Sequence, residues 1–470
     1  MAISLPSVSG DRVSIRFVII VVLTLALMIP LLLVGGVASE RQAYYQQVVA
    51  DISQSFGHEQ RIVGPILVIP AYDRVTELDV NGLTRVASVA TQHLVLPDEL
   101  QIDVDLQHQY RSRAIYDVPV YVAQTRIAGR LPELDIQAIE AQHERVLWEQ
   151  AFLAIGISDT RAIKSNAPFE LGEQQFVLTP GTGLDWLPGG VRVPLGKGLA
   201  VAQAPDNSVA STLDGWQLTP NNGSVPYAGQ TFTAAFTIAG SARFAMVPLG
   251  NQSTLQVASS WPHPKFEGNF LPLEHSIDGG GFSARWSVSA LARGVPQSFS
   301  ARAESLGFVH SSAAVSLYEP VTQYTTVDRG LKYGVLFIAL TFLAVLCFEL
   351  LTQARLHPVQ YGVVGLALVL FYLVLLSLSE HVHFLGAYLA ATGVMVVLLG
   401  SYARSVTCST RLGLAFAALQ AALYWVLYVL LKLEDYALLT GTTALVVGLC
   451  ALMFVTRSLN RPGPEKSAVL

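Results

Sequence analysis

The sequence predicts an α+β membrane protein with six transmembrane helices, one N-terminal and five C-terminal, and a large β-rich extracytoplasmic domain between them. Three observations lead there. Only 13% of the 470 residues are charged, about half the roughly 25% of soluble globular chains. Apolar runs of about 20 residues, long enough to cross a bilayer, fill one stretch near the start and most of Gly334 to Val455. Between them the composition is that of a soluble protein, with apolar and polar residues alternating as in half-buried strands.

The first apolar run, Phe17 to Gly36, follows Arg12 and Arg16 and precedes Gly36-Val37-Ala38, which resembles a signal cleavage site. A signal core usually holds about 7 to 15 apolar residues. The run here is longer and carries Pro30, so an uncleaved anchor is expected. The remaining spans are placed at Gly334 to Leu351, Tyr361 to Leu378, Phe384 to Tyr402, Leu412 to Leu431 and Ala437 to Val455. Lys and Arg near membranes are retained on the cytoplasmic side. With both termini inside, Arg12, Arg16, Arg355, Arg404, Arg411, Arg457, Arg461 and Lys466 all lie there; the short outer loops hold only Lys432, offset by Glu434 and Asp435, and Arg329 and Lys332 are the exceptions. The chain thus divides into an N-terminus and anchor (1–39), a periplasmic domain (40–329), a five-helix membrane domain (330–456) and a cytoplasmic tail (457–470).

The exported segment opens with Tyr44, Tyr45, Val48, Val49 and Ile52 at helical spacing, which predicts a stalk continuing from the anchor to Phe56. Strands follow. Leu100, Ile102, Val104 and Leu106 alternate with Gln101, Asp103, Asp105 and Gln107, and Phe232, Ala234, Phe236 and Ile238 repeat the pattern. Turn clusters at Pro180 to Gly183, Leu187 to Gly190, Asn221 to Gly223 and Gly279 to Gly281 favour a sandwich or a curved antiparallel sheet over a doubly wound fold. Loop-like composition marks Gly196 to Asn222 as a place where two subdomains could divide. All three cysteines, Cys347, Cys408 and Cys450, lie in or beside membrane helices, so the exported domain must be stable without disulfides.

A net charge of −5 with no concentrated basic face argues against nucleic acid as a partner. Gly190 to Gly198 fails as a phosphate loop because Gly198 stands where a magnesium-binding Ser or Thr belongs. No zinc-hydrolase, Cys-x-x-Cys or Gly-x-Ser-x-Gly pattern occurs, and neither a cofactor nor a metal is expected. Four features could carry chemistry or recognition. Trp261, His263, Lys265 and Phe266 form a proline-stiffened aromatic segment, which either packs a loop onto a sheet or offers a ligand surface. Glu349 is a carboxylate within a span, near enough to Gln360 or Tyr361 to pair with one of them. His357 immediately precedes Pro358 at the start of the next span. Glu380 and His381 end that span at the outer interface, where they could shuttle protons or simply reach water. On a helix His381 and His383 would stand about 200° apart, which argues against a shared metal.

Taken together, Val63-Gly64-Pro65, Ser260-Trp261-Pro262-His263-Pro264, Gly281-Phe282 with Trp286, Leu356-His357-Pro358, Gln360-Tyr361 and Leu378-Ser379-Glu380-His381 give the chain a specific resemblance to the CreD family of bacterial inner-membrane proteins. The resemblance implies an inner-membrane location, a periplasmic domain, membership of a two-component-controlled stress response and a contribution to cell envelope integrity. It carries no catalytic residues. The leading expectation is therefore a non-enzymatic envelope protein embedded in the lipid bilayer, whose periplasmic domain meets a periplasmic protein or a cell-wall component. The competing expectation is a membrane-embedded enzyme or lipid handler that uses Glu380 and His381 as acid and base.

Overall fold

The computed structural model describes residues 10–78, 84–195, 225–301, 303–317, 323–352, 356–432 and 437–456. The division expected at Gly196 to Asn222 and the tail after 456 lie outside them. The chain is α+β and forms two compact units, a β-rich one from Val48 to Pro320 and a helical one from Met1–Gln47 with Val321–Leu470. The boundary falls inside α1 (Gly10–Phe56), whose unbroken helix includes the expected stalk.

Four long strands open the β unit: β1 (Gln60–Leu78), β2 (Thr84–Val95), β3 (Glu99–Arg113) and β4 (Tyr116–Arg130). β1 pairs antiparallel with β2 inside a ten-stranded sheet, while β3 and β4 form a long hairpin inside a nine-stranded one. The alternation read from β3 holds: Leu100, Ile102, Val104 and Leu106 are buried and the residues between them face outward. The strand Thr231–Ser241 does the same with Phe232, Ala234, Phe236 and Ile238. Apolar faces of both sheets contribute to one core, including Val68, Leu94 and Phe244 from one and Ile102, Leu255 and Trp286 from the other. No disulfide holds it, and burial of apolar surface carries the stability.

The pairing is mostly antiparallel, but β1 runs parallel to Arg243–Met246 and β3 runs parallel to Gln252–Ser259. These partners are far apart in sequence, which supplies the long crossovers that parallel neighbours require. Two of the glycine motifs serve close backbone approach. Gly64, at φ +109°, sits where the register of β1 shifts, and a Cβ there would lie 2.6 Å from the Ala154 carbonyl. Gly281, at φ +138°, leaves no room for a Cβ beside the Ser259 carbonyl. Any other residue at either place would strain the backbone and push the strands apart.

Among the described residues four helices are long and apolar enough to cross a membrane: Val18–Phe56, Pro358–Ser379, Phe384–Thr407 and Thr410–Lys432. Thr326–Lys332 and Gly334–Glu349 meet at a 52° bend and make a fifth only if counted as one span. The last expected span is helical over Ala437–Thr456, with Gly441–Cys450 as a shorter apolar helix inside it. α1 is more than a tether. Ile20, Leu27, Leu31, Val34 and Ala38 form a buried stripe at heptad-like spacing, whereas Val18, Val22, Leu25, Ile29 and Leu32 stay exposed. Leu31 fits against Gly334, where a Cβ would come within 2.8 Å of it, and Leu27 fits against Gly365. Apolar residues exposed on the opposite side are what lipid contact requires.

Small residues also let Thr410–Lys432 pack closely. Cβ atoms at Gly413 and Gly400 would come 2.7 Å from the Cβ of Arg404 and 2.8 Å from that of Ala417, so Gly413 and Ala417 face the helix Phe384–Thr407. Tyr424 is buried although it lies near the end of an apolar helix. It turns inward, with Phe371 4.6 Å from its ring and its carbonyl accepting a 2.6 Å hydrogen bond from the Tyr388 hydroxyl. Trp425 remains 66% exposed, as a belt residue would be.

Candidate functional site

The proline-stiffened segment lies where the chain changes sheets. Gln252–Ser259 belongs to the nine-stranded sheet and Pro264–Gly268 to the ten-stranded one, so Ser260 to His263 form the crossing. Trp261 plugs it. Its ring is buried against His108 and Tyr110 of β3 at 5.5 and 6.2 Å, and its indole N–H donates to the His263 carbonyl at 3.0 Å. His263 is exposed and contributes that backbone carbonyl. His108 in turn meets the Ser260 hydroxyl at 2.8 Å.

Beyond the crossing, Phe266 packs against His275, Phe282 and Trp286 at 5.5 to 5.9 Å. Lys265 pairs with Glu267 at 2.7 Å, and Glu267 also accepts from the Ser316 hydroxyl at 3.0 Å. The Lys265 hydrogen bond is the main cause holding the Glu267 carboxyl below its ordinary range, against an opposing effect of burial. The four residues thus divide. Trp261 and Phe266 brace different aromatic clusters, while His263 and Lys265 lie on the surface.

Glu349 is 2% exposed, and both of its oxygens are used. The Tyr361 hydroxyl donates to one at 2.7 Å, and the Leu356 backbone N–H donates to the other at 3.0 Å. The carboxylate therefore ties the helix Gly334–Thr352 to the start of Pro358–Ser379. His357 caps the second helix. Its Nδ1 accepts from the Val359 N–H at 3.3 Å, and its own N–H donates to the Gln360 side chain at 2.9 Å. With proline in the first turn, this is a strong helix-start arrangement.

Glu380 caps the far end of the same helix and pairs with Arg41 of α1 at 3.7 Å. His381 stands in the exposed turn that follows, and His383 caps the next helix by accepting from the Leu385 N–H at 3.4 Å. The Glu349 cluster and Glu380 occupy opposite ends of a 22-residue helix, roughly 33 Å long. They do not share a site.

Sequence reasoning missed Arg41, the ion-pair partner of Glu380. It also missed a buried chain in the β unit that links Asp73, His143, His93 and Ser298. Their separations in sequence are 70, 50 and 205 residues, so no local spacing announces them.

Comparison with known proteins agrees with the motifs. The family model described as Inner membrane protein CreD matches residues 12–461. The chain is 32% identical over 438 residues to the Inner membrane protein CreD of Escherichia coli (strain K12), which covers 93% of this chain and 91% of that protein. With several helices long and apolar enough to cross a bilayer, the chain belongs to the CreD family of multi-pass inner membrane proteins.

Proposed function

We propose that this protein contributes to cell envelope integrity and to the envelope stress response through its β unit, which acts as a periplasmic contact module for a protein or cell-wall component. In this reading the membrane carries six spans, both termini are cytoplasmic and residues 40–329 are periplasmic. One observation carries it. The prominent ionisable groups of the helical unit serve its architecture, Glu349 tying two helices together through Tyr361 and Glu380 pairing with Arg41, whereas the β unit builds an independent core. The helices then act as a platform rather than as a reaction chamber.

Cells lacking the protein and complemented with a Glu380→Gln, His381→Gln double variant test this. At equal membrane abundance the variant is expected to restore exclusion of a membrane-impermeant dye to the wild-type level. Failure to restore it would place function at the helix end and favour acid–base chemistry there.

A further inference from the structure

The polar chain buried in the β unit has more order than packing alone requires. His93 on β2 is fully buried, and its Nδ1 lies 2.9 Å from Nε2 of His143, the residue that closes α2 (Ile136–Gln142). Nδ1 of His143 lies 2.5 Å from a carboxylate oxygen of Asp73 on β1. At the other end, Nε2 of His93 lies 2.7 Å from the hydroxyl of Ser298, an exposed residue that begins the strand Ser298–Ser300. The two imidazole rings are nearly perpendicular, at 89°.

Proton counting gives the chain a direction. An ionised carboxylate only accepts, so His143 donates to Asp73 from Nδ1 and, when neutral, accepts at Nε2. His93 must then donate from Nδ1, which leaves its Nε2 as the acceptor for the Ser298 hydroxyl. Nearby Glu144 is paired with Arg74 at 3.0 Å, so Asp73 is the carboxylate that meets His143. Burial, followed by the neighbouring His143, pulls the His93 imidazole down to about 4 against the opposing charge of Asp73, which keeps it neutral. A hydroxyl, a base within hydrogen-bond reach and groups that orient the base form the arrangement of an activated nucleophile.

The surroundings hold that hydroxyl in place. Arg293 is buried and donates to the carbonyls of Gly250 and Val295 at 3.0 and 2.9 Å and to the Gln297 side chain at 3.1 Å. Gln297 donates onward to the Leu96 carbonyl at 2.6 Å. The strand Ser298–Ser300 pairs with β2 along one side, with the Leu96 N–H donating to Gln297 and the Ala301 N–H to Gln92. Antiparallel pairing alternates, so the Ser298 N–H points away from β2, to the side where no strand among the described residues pairs. A donor is therefore available beside the hydroxyl.

We propose that Ser298 and His93 form a hydrolytic site for acyl esters, with His143 and Asp73 as positioning residues. The activity is one that the proposed contact role neither needs nor excludes. The Ser298 oxygen bonds to the ester carbonyl carbon while its proton passes to His93 Nε2 and the carbonyl electron pair moves onto oxygen, facing the Ser298 N–H. When that pair returns, the bond to the alkoxide breaks, and the departing oxygen takes the proton from His93. Water then attacks the acyl–Ser298 ester, giving one proton to His93. The carboxylic acid leaves as that proton returns to the Ser298 oxygen. Ester and water thus yield acid and alcohol with no other reactant.

The test uses the full chain in detergent micelles with a fluorescent alkyl fluorophosphonate, in which attack by serine expels fluoride. Peptide mapping should find the adduct on Ser298, absent from Ser298→Ala and retained in Ser300→Ala. His93→Gln should slow labelling by about a hundredfold or more, and Asp73→Asn should shift its pH profile by changing the tautomer that the chain enforces. Wild-type protein that acquires no adduct at Ser298, or labelling that survives Ser298→Ala unchanged, would overturn the proposal. If His93→Gln fails to fold, the contrast between the Ser298→Ala and Ser300→Ala variants still decides it.

Discussion

Single residues account for much of what distinguishes this chain from an ordinary sandwich joined to a helical bundle. Glu349 illustrates how an acidic residue in an apolar helix is accommodated, with a tyrosine hydroxyl and a backbone N–H each supplying one donor. The sequence made that carboxylate visible because charge is rare in a span, and it offered Tyr361 as a partner. His93 was invisible because its partners are distant in sequence and its strand looks like any other. Its neutral buried form has a measurable consequence. An imidazole lowered from 6.5 to about 4 binds a proton in the unfolded chain before it does in the fold. The resulting stability is complete above about pH 6.5 and is lost as pH falls toward 4, by on the order of 3 kcal/mol in total. Denaturant midpoints taken between pH 7.5 and 4.5 should therefore fall more steeply for the wild type than for His93→Gln. Equal slopes would mean that His93 does not carry the effect.

At the scale of elements, periodicity was a reliable guide wherever one face meets the core. β3 and Thr231–Ser241 have the expected buried faces, and the stalk continues α1 as its spacing implied. Pairing was not legible. Nothing local in β3 specifies Gln252–Ser259 as its parallel neighbour, since that choice is made by crossovers elsewhere in the chain. The aromatic segment shows the same limit. Its prolines and rings marked an important turn, but only the sheet assignment reveals it as the crossing between two sheets. Trp261→Ala would empty a buried site there and should cost about 3–5 kcal/mol. A denaturant titration of the full chain followed by far-ultraviolet circular dichroism measures it, and a loss below about 1 kcal/mol would show that the crossing does not depend on the indole.

For the whole molecule, the low charge content and the clustered apolar runs located the membrane helices, and the family comparison gives the inner membrane. The count of spans was harder to read. Hydropathy treats Gly334 to Leu351 as one crossing, whereas the backbone bends by 52° just before it, between Thr326–Lys332 and Gly334–Glu349. The glycines of the bundle had no evident partner in the sequence, because Gly334 and Gly365 receive leucines from a helix more than 300 residues earlier. That packing makes α1 an integral member of the helical unit.

In the proposed function the β unit faces the periplasm and both termini stay in the cytoplasm. Single cysteines placed at Glu274, exposed in the β unit, and at Ser467, in the C-terminal tail, test it in a background with Cys347, Cys408 and Cys450 replaced. With the outer membrane permeabilised and the inner membrane intact, a membrane-impermeant maleimide should modify the Glu274→Cys protein at once and the Ser467→Cys protein only after lysis. Protection of the Glu274→Cys protein until lysis would contradict the account, because the β unit would then face the cytoplasm.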